Sequence, residues 1–188
     1  MPIRPICITG EPVLHAKALP VTNFDESLRE LVADMYETMD AAPGVGLAAP
    51  QVGVGLRLFV YDYPDDNGAE RRGVIINPEL EVGAIVDEPA DEDTESEGCL
   101  SVPGERFPLK RADRIIVTGV DLEQKPVYIE ATGWYARIFQ HEFDHLNGTL
   151  YVDRLRQPWH EMAQFAIDEE GWGKPGLSWL PGRDHLEC

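Results

Sequence analysis

The sequence predicts a single mixed domain in which hairpin-linked strands surround a buried helix. Three observations carry that expectation. Of its 188 residues, 43% are hydrophobic and 27% charged, the balance of a globular chain long enough to bury most of its apolar surface without disulfide support. Between residues 56 and 131, short runs rich in Val, Ile, Tyr and Phe alternate with Pro, Gly, Asn and Asp, which is how strands and turns read. Beyond them, a helical stretch from about Gly133 to Asn147 is apolar on two sides, with Trp134, Ile138, His141 and His145 along one face and Phe139, Phe143 and Leu146 along another. A helix of that pattern is enclosed by protein rather than laid on a surface.

Taken in order, Cys7 belongs to the core of a first strand. A helix starts near Phe24-Asp25-Glu26, with Leu28, Leu31, Val32, Met35 and Met39 at helical spacing, acids in its first turn and Pro43-Gly44 to end it. A glycine-rich loop follows, from Gly44 to Gly53. Strands are expected at Leu56 to Asp62, Gly73 to Asn77, Leu80 to Val86, Arg114 to Asp121 and Val127 to Ala131. Hairpin turns are expected at Pro64-Asp65-Asp66-Asn67-Gly68 and Leu122-Glu123-Gln124-Lys125. Thr132 and Gly148 suit the two caps of the enclosed helix. A last helix runs from Pro158 to Glu170 with Met162, Phe165 and Ala166 inward, stopped by Gly171. The tail from Trp172 to Pro181 is too rich in Gly and Pro for a helix but carries two tryptophans, and reads as an extended strap. No internal repeat or linker divides the chain. Residues 1–188 are expected to form one domain, with 154–188 a helix and tail packed on it.

Charge and cysteine content narrow the function. A net charge of −18 repels phosphate over most of the surface and argues against direct nucleic-acid binding. Seven acids fall between Asp87 and Glu97 with no base among them; such a run reads as a solvated loop, Glu97 excepted, and its spacing fits no EF-hand. Cys7, Cys99 and Cys188 are too few and scattered for a disulfide framework. No run is apolar enough to span a bilayer, and the first residues lack a signal-peptide core. A soluble cytoplasmic setting with no membrane partner is therefore expected.

Chemistry concentrates in His141-Glu142-Phe143-Asp144-His145. Histidines four residues apart on a helix stand one above the other and can bind one metal ion, while Glu142 reaches a water beside it. A catalytic site needs a third protein ligand and an open position. Downstream, His160, Glu161 and Glu169 lie in a separate helix at unsuitable spacing. Upstream, Cys99 stands between Gly98 and Leu100 at the end of the acidic loop and is the favoured thiolate. The donor set alone suits zinc. His15, His160 and His185 have no partner spacing and are assigned no role.

Three motifs in order, Gly44-Val45-Gly46-Leu47-Ala48-Ala49-Pro50-Gln51, Glu97-Gly98-Cys99-Leu100-Ser101 and Gln140-His141-Glu142-Phe143-Asp144-His145, resemble those of the peptide deformylase family, and the resemblance extends over essentially the whole chain. It implies an α+β fold in which antiparallel β-sheets wrap around a central metal-binding helix. It implies one divalent metal ion, Fe²⁺, on Cys99, His141 and His145, with Zn²⁺, Ni²⁺ or Co²⁺ able to substitute. The reaction implied is hydrolysis of the N-formyl group from the initiator methionine of nascent polypeptides, with release of formate. Glu142 would take the proton of the attacking water and pass it to the leaving amine. Gln51 and the backbone N–H of Leu100 would stabilise the formyl oxygen. Gly46 would pair with the peptide main chain; Val45, Trp134 and Ile138 would enclose the methionine side chain, and Arg106 would meet the following peptide unit. Glu97 is expected to support the cysteine loop.

Some deformylases dock on the ribosome through a basic C-terminal helix. Here residues 154–188 hold four bases against six acids, the wrong sign for such docking. Two other readings remain open to the motif: a metallopeptidase cutting internal bonds, which needs a downstream ligand, and a non-catalytic metal-binding protein, which needs a fourth ligand and leaves Glu142 idle.

Overall fold

The computed structural model describes residues 2–64 and 68–186. Its strands are β1 (Ile6–Cys7), β2 (Gly46–Ala48), β3 (Leu58–Asp62), β4 (Arg72–Val82), β5 (Ser96–Cys99), β6 (Val102–Pro108), β7 (Arg114–Val120), β8 (Pro126–Thr132) and β9 (Ser178–Trp179), and its helices are α1 (Glu26–Ala41), α2 (Gly133–Leu146) and α3 (Trp159–Glu169). A five-stranded sheet runs β2-β3-β4-β7-β8, and two small sheets pair β5 with β6 and β1 with β9. All these pairings are antiparallel. The expected α+β architecture is present.

Burial explains why β3 is apolar at every position from Leu58 to Tyr61. Successive side chains point to opposite faces of a sheet, and here both faces are covered. Phe59 and Tyr61 pack with Ile75, Ile115 and Val117 against Tyr135, Ala136, Phe139 and Leu146 of α2. Leu58 and Val60 pack against Leu28, Leu31, Val32, Met35 and Met39 of α1. The sheet therefore lies between the two helices. On the far side of α2, the β5–β6 hairpin packs through Val102 and Phe107 on Leu150, Tyr151, Ala163 and Ile167. The enclosed helix of the sequence is enclosed in fact.

Local chemistry fixes the ends. The Asp25 carboxylate accepts from the Leu28 N–H at 3.2 Å and caps α1. Thr132 occupies the N-cap position of α2 without a side-chain cap bond; the Gly133 N–H instead donates to the Asp113 carbonyl at 2.9 Å. Past the other end, Gly148 adopts φ 73°, the left-handed turn a β-carbon resists. Asp121 accepts from the N–H groups of Glu123 and Lys125 at 2.9 Å each, tying the β7–β8 turn. The turn expected at Pro64 to Gly68 falls in part on residues 65–67, outside the described residues, as does Cys188.

Several expectations need correction. The glycine-rich loop contains β2 and a 3-10 turn, Ala49–Val52; the period of a three-residue strand is too short to see in sequence. The segments Gly73 to Asn77 and Leu80 to Val86 are one strand, β4, that ends at Val82. Its register shifts between Ile76 and Glu79, where Asn77 at φ 52° forms a bulge and its side chain clasps both backbone groups of Val21 at 2.8 and 2.9 Å. Asn77-Pro78 reads as a break and is a bulge. Strands β5 and β6 were hidden by glutamate, glycine and proline. Helix α3 turns the other way: Ala163 and Ile167 are buried, whereas Met162 and Phe165 are 48% and 66% exposed. The tail is the expected strap, with Trp179 buried.

Candidate metal centre and reaction cleft

Three segments meet at one point. Helix α2 supplies His141 and His145 on successive turns, and β5 ends on Cys99. The His145 Nε2 lies 3.3 Å from Cys99 Sγ and 3.2 Å from His141 Nε2, and the three ligand atoms all lie within 4.8 Å of one another. Neighbouring donors on a four-coordinate ion with bonds of about 2.0–2.3 Å stand roughly 3.3–3.6 Å apart. Burial would lower the pKa of His141, but the charges of Cys99 and Glu97 outweigh it and raise it well above the ordinary value. Burial, helped by His141, holds His145 well below its own, so its lone pair is available. The donor set fits one divalent ion.

A buried ionic frame holds the ligands. His141 Nδ1 donates to Glu97 Oε2 at 2.7 Å, which fixes the tautomer that leaves Nε2 free for a metal. Arg111 grips both Glu97 oxygens at 2.8 Å and reaches Asp144 Oδ2 at 2.8 Å. Arg137 adds 2.9 Å to Glu97 Oε1, and Arg154 binds both Asp144 oxygens at 2.6 Å. Burial would raise the Glu97 pKa, yet Arg111 and His141 hold its carboxyl well below the usual range. Glu97 thus holds His141 directly, and not only the cysteine loop.

Glu142 and Gln51 flank the centre. Glu142 is buried, and burial raises its pKa to about 7 against the pull of His141 and Arg111. Among the described residues, its Oε2 is one of two buried side-chain polar atoms without a hydrogen-bond partner, the other being His145 Nδ1. A β-carbon on Gly46 would fall 2.8 Å from Glu142 Cδ, so the glycine is what lets the carboxylate lie against β2. Gln51 is oriented by its carbonyl: Oε1 accepts the Ala48 N–H at 2.9 Å. Its Nε2 therefore faces Ser101 Oγ at 3.4 Å and Cys99 Sγ at 3.8 Å.

A cleft of about 300 Å³ opens beside these groups. Every residue expected in the pocket lines it: Val45, Gly46, Arg106, Trp134 and Ile138, with Gln51, Cys99, Leu100, His141 and Glu142. Val45 and Trp134 are 45% and 41% exposed, and form its mouth rather than its floor. Arg106 donates to the Ser96 carbonyl at 3.0 Å on the rim. Tyr63 and Arg137 also line the cleft and were not expected from sequence. Arg137 stands one helical turn before His141, so spacing could have found it. Arg111 and Asp144 were missed as well; nothing in their neighbours announces an ion pair across 33 positions.

A family model described as polypeptide deformylase matches residues 3–160. A peptide deformylase of Mycolicibacterium paratuberculosis is 53% identical over 189 residues, covering 97% of this chain and 96% of that protein. The crystal structure of a peptide deformylase from Legionella pneumophila superposes with a TM-score of 0.75 at 42% identity, over 90% of this chain and 95% of the other. One from Ehrlichia chaffeensis in complex with actinonin gives 0.78 at 37% identity, over 90% and 96%.

Proposed function

The chain belongs to the polypeptide deformylase family, and from that premise we propose how its own residues carry out the reaction. It is a peptide deformylase, a metal-dependent hydrolase that removes the formyl group from the N-terminal methionine of nascent peptides. The observation that carries the site assignment is the buried Cys99, His141 and His145 triad with the partnerless Glu142 Oε2 beside it.

Cys99, His141 and His145 would hold one divalent ion, Fe²⁺ in the native enzyme, with Zn²⁺, Ni²⁺ or Co²⁺ able to replace it. When bound, that ion supplies Lewis acidity, which activates water and polarises the formyl carbonyl. Glu142 accepts the proton of the attacking water at Oε2. A carboxylate with a pKa raised to about 7 can both take that proton and return it at neutral pH. The water oxygen adds to the formyl carbon, the C–N bond breaks, and the proton passes from Glu142 to the methionine nitrogen as formate leaves. Charge that develops on the formyl oxygen meets the Gln51 Nε2–H, already aimed by the Ala48 bond, and the Leu100 N–H.

The peptide would lie along β2. Among the described residues that strand pairs only with β3 in the five-stranded sheet, and its other edge offers backbone groups for an added strand. Gly46 would bond the peptide main chain there, within reach of Glu142. Val45, Trp134 and Ile138 would enclose the methionine side chain, and Arg106 would meet the next peptide unit. Residues 1–188 would act as one domain, with the strap from 172 onward part of its body.

Helix α3 contains no Lys or Arg, which supports an encounter with nascent chains that does not use basic-helix docking on the ribosome. No helix among the described residues is long and apolar enough to cross a membrane; the bacterial cytoplasm, where formylated chains emerge, would be the site of action.

The test is formate release from formyl-Met-Ala-Ser by protein purified anaerobically with ferrous iron, beside Glu142→Ala. Wild-type turnover that collapses in the variant, with metal still bound, supports the assignment. Equal turnover in the two proteins rules out Glu142 as the base.

A further inference from the structure

The segment after residue 160 lies beyond the stretch that the family model matches, yet it reaches the reaction loop. β9 pairs with β1 in the register Ile6 to Trp179 and Cys7 to Ser178. Around this pairing, the Ile8 N–H donates to the Leu177 carbonyl and the Gly173 N–H to the Thr9 carbonyl, each at 3.0 Å. The Glu11 carboxylate accepts from the N–H groups of Gly176 and Leu177. The strap so held buries Trp179 among Ile6, Ile8 and Ala42. Its indole Nε1–H donates to the Leu100 carbonyl at 2.8 Å.

The peptide that this bond grips gives it meaning. The Leu100 carbonyl and the Ser101 N–H are opposite ends of one planar unit, and the Ser101 N–H donates to Cys99 Sγ at 3.4 Å. Two hydrogen bonds and one rigid plane therefore connect the Trp179 indole to the thiolate. The Thr9 N–H holds the next carbonyl, that of Ser101, at 2.8 Å. A tryptophan serving packing alone would leave its N–H to any nearby acceptor; this one ends on the backbone between the thiolate ligand and Ser101.

We propose that Trp179 is a positioning residue for deformylation: its indole N–H orients the Leu100–Ser101 peptide, and through it the Ser101 N–H that donates to Cys99. The inference rests on the role assigned above to Cys99. Without the indole donor the plane is free to tilt, and the thiolate loses a well-aimed N–H.

Trp179→Phe keeps an aromatic ring in the cluster and removes the donor. The full chain, loaded with Co²⁺, is read in two ways: the thiolate-to-cobalt charge-transfer absorption, and kcat and KM for formyl-Met-Ala-Ser. The expected result is a shifted absorption band and a kcat lowered about tenfold, with KM within about twofold, a smaller loss than the ~10²–10³ for deleting an oxyanion donor. Ile8→Val opens space in the same cluster while leaving the indole N–H and its acceptor in place, and should move neither readout. Should Trp179→Phe fail to fold, Glu11→Gln loosens the strap without opening a cavity and is expected to move both readouts in the same direction. An unchanged band and kcat in the folded Trp179→Phe protein, or in Glu11→Gln where that variant stands in for it, overturn the positioning role, and a collapse in Glu142→Ala alongside leaves the deformylase assignment standing. A cobalt-loaded wild type with no thiolate band and no formate release overturns the site assignment itself.

Discussion

Replacing Glu97 by glutamine tests whether the ionic frame beneath the metal centre sets metal affinity. Each Glu97 oxygen accepts two donors: Oε1 takes Arg111 Nε at 2.8 Å and Arg137 Nη1 at 2.9 Å, and Oε2 takes Arg111 Nη2 at 2.8 Å and His141 Nδ1 at 2.7 Å. Glutamine keeps one acceptor oxygen and turns the other into a donor. Whichever way the amide sits, two of the four bonds are lost and donors face donors. Hydrogen bonds to charged groups contribute about 1.5–3 kcal/mol each, and breaking one partner of a buried ion pair costs about 3–5 kcal/mol. The range of ~3–5 kcal/mol corresponds, for a chain of this length, to a Tm lower by roughly 6–20 °C. The arginines have the stronger claim on the remaining oxygen, so His141 loses its partner and its fixed tautomer, and metal affinity should fall about 10–100-fold. Thermal melts of the metal-loaded proteins and chelator competition at pH 7 measure both. A variant that melts with the wild type and holds its metal as tightly would refute the account.

Two further outcomes follow from local geometry. Gly46→Ala places a β-carbon 2.8 Å from Glu142 Cδ, so the carboxylate must swing away; displacement of about 1 Å costs ~10²-fold in rate, and kcat should drop by that order while the metal content stays at one per chain. Asp25, which caps α1 through Leu28, has its pKa lowered by the Ser27 hydroxyl and the Leu28 N–H. A depressed carboxylate contributes stability above its unfolded value, here 3.8, and loses it as pH falls through the folded value. Asp25→Ala should therefore melt below the wild type at pH 7, and the gap should close as pH falls through the folded value; a gap that stays constant with pH would show that the carboxylate charge is irrelevant to the cap.

How much of this was legible in sequence depends on how far each function is written locally. The candidate pair His141 and His145 shares one helix face, so four residues of spacing suffice to read it. Cys99 needed the prior expectation of a missing ligand, and Gln51 needed the glycine-rich motif around it. The enclosed helix was readable because two apolar stripes leave no polar face. The strands β5 and β6 were not, because Glu97 and Arg106 sit at positions where a surface strand and a buried one look alike. Burial there is granted by partners, and Glu97 is an acid in an acidic run until Arg111 and Arg137 close on it. Asn77-Pro78 misled for the opposite reason: residues that ordinarily end a strand here make a bulge, because the Val21 backbone satisfies the Asn77 side chain. In α3 the pattern Met162, Phe165, Ala166 outweighed Ala163 and Ile167 on size, although the smaller residues are the ones that fit close against β6.

The same distinction explains how the centre is assembled. Its chemistry rests on a few side chains with short spacings, but the direction of each is set from a distance. Glu97 aims His141, the Ala48 N–H aims Gln51, the missing side chain of Gly46 makes room for Glu142, and the Trp179 indole grips the peptide after Cys99. The supports come from three segments of the chain, and each ties a side chain of the centre to a packed element: Glu97 to the arginine frame, Ala48 and Gly46 to β2, Trp179 to the β1–β9 ribbon. A cluster of three metal ligands and a base carried on α2 and one loop alone would leave the loop free to move by more than the reaction tolerates. Fixing it from the ribbon side, through two hydrogen bonds across one peptide plane, would give the Cys99 sulfur a fixed reference. The rate of the Trp179 variant should therefore fall while its KM stays near the wild type, because that support acts on the alignment of reacting atoms and not on the walls that hold the methionine.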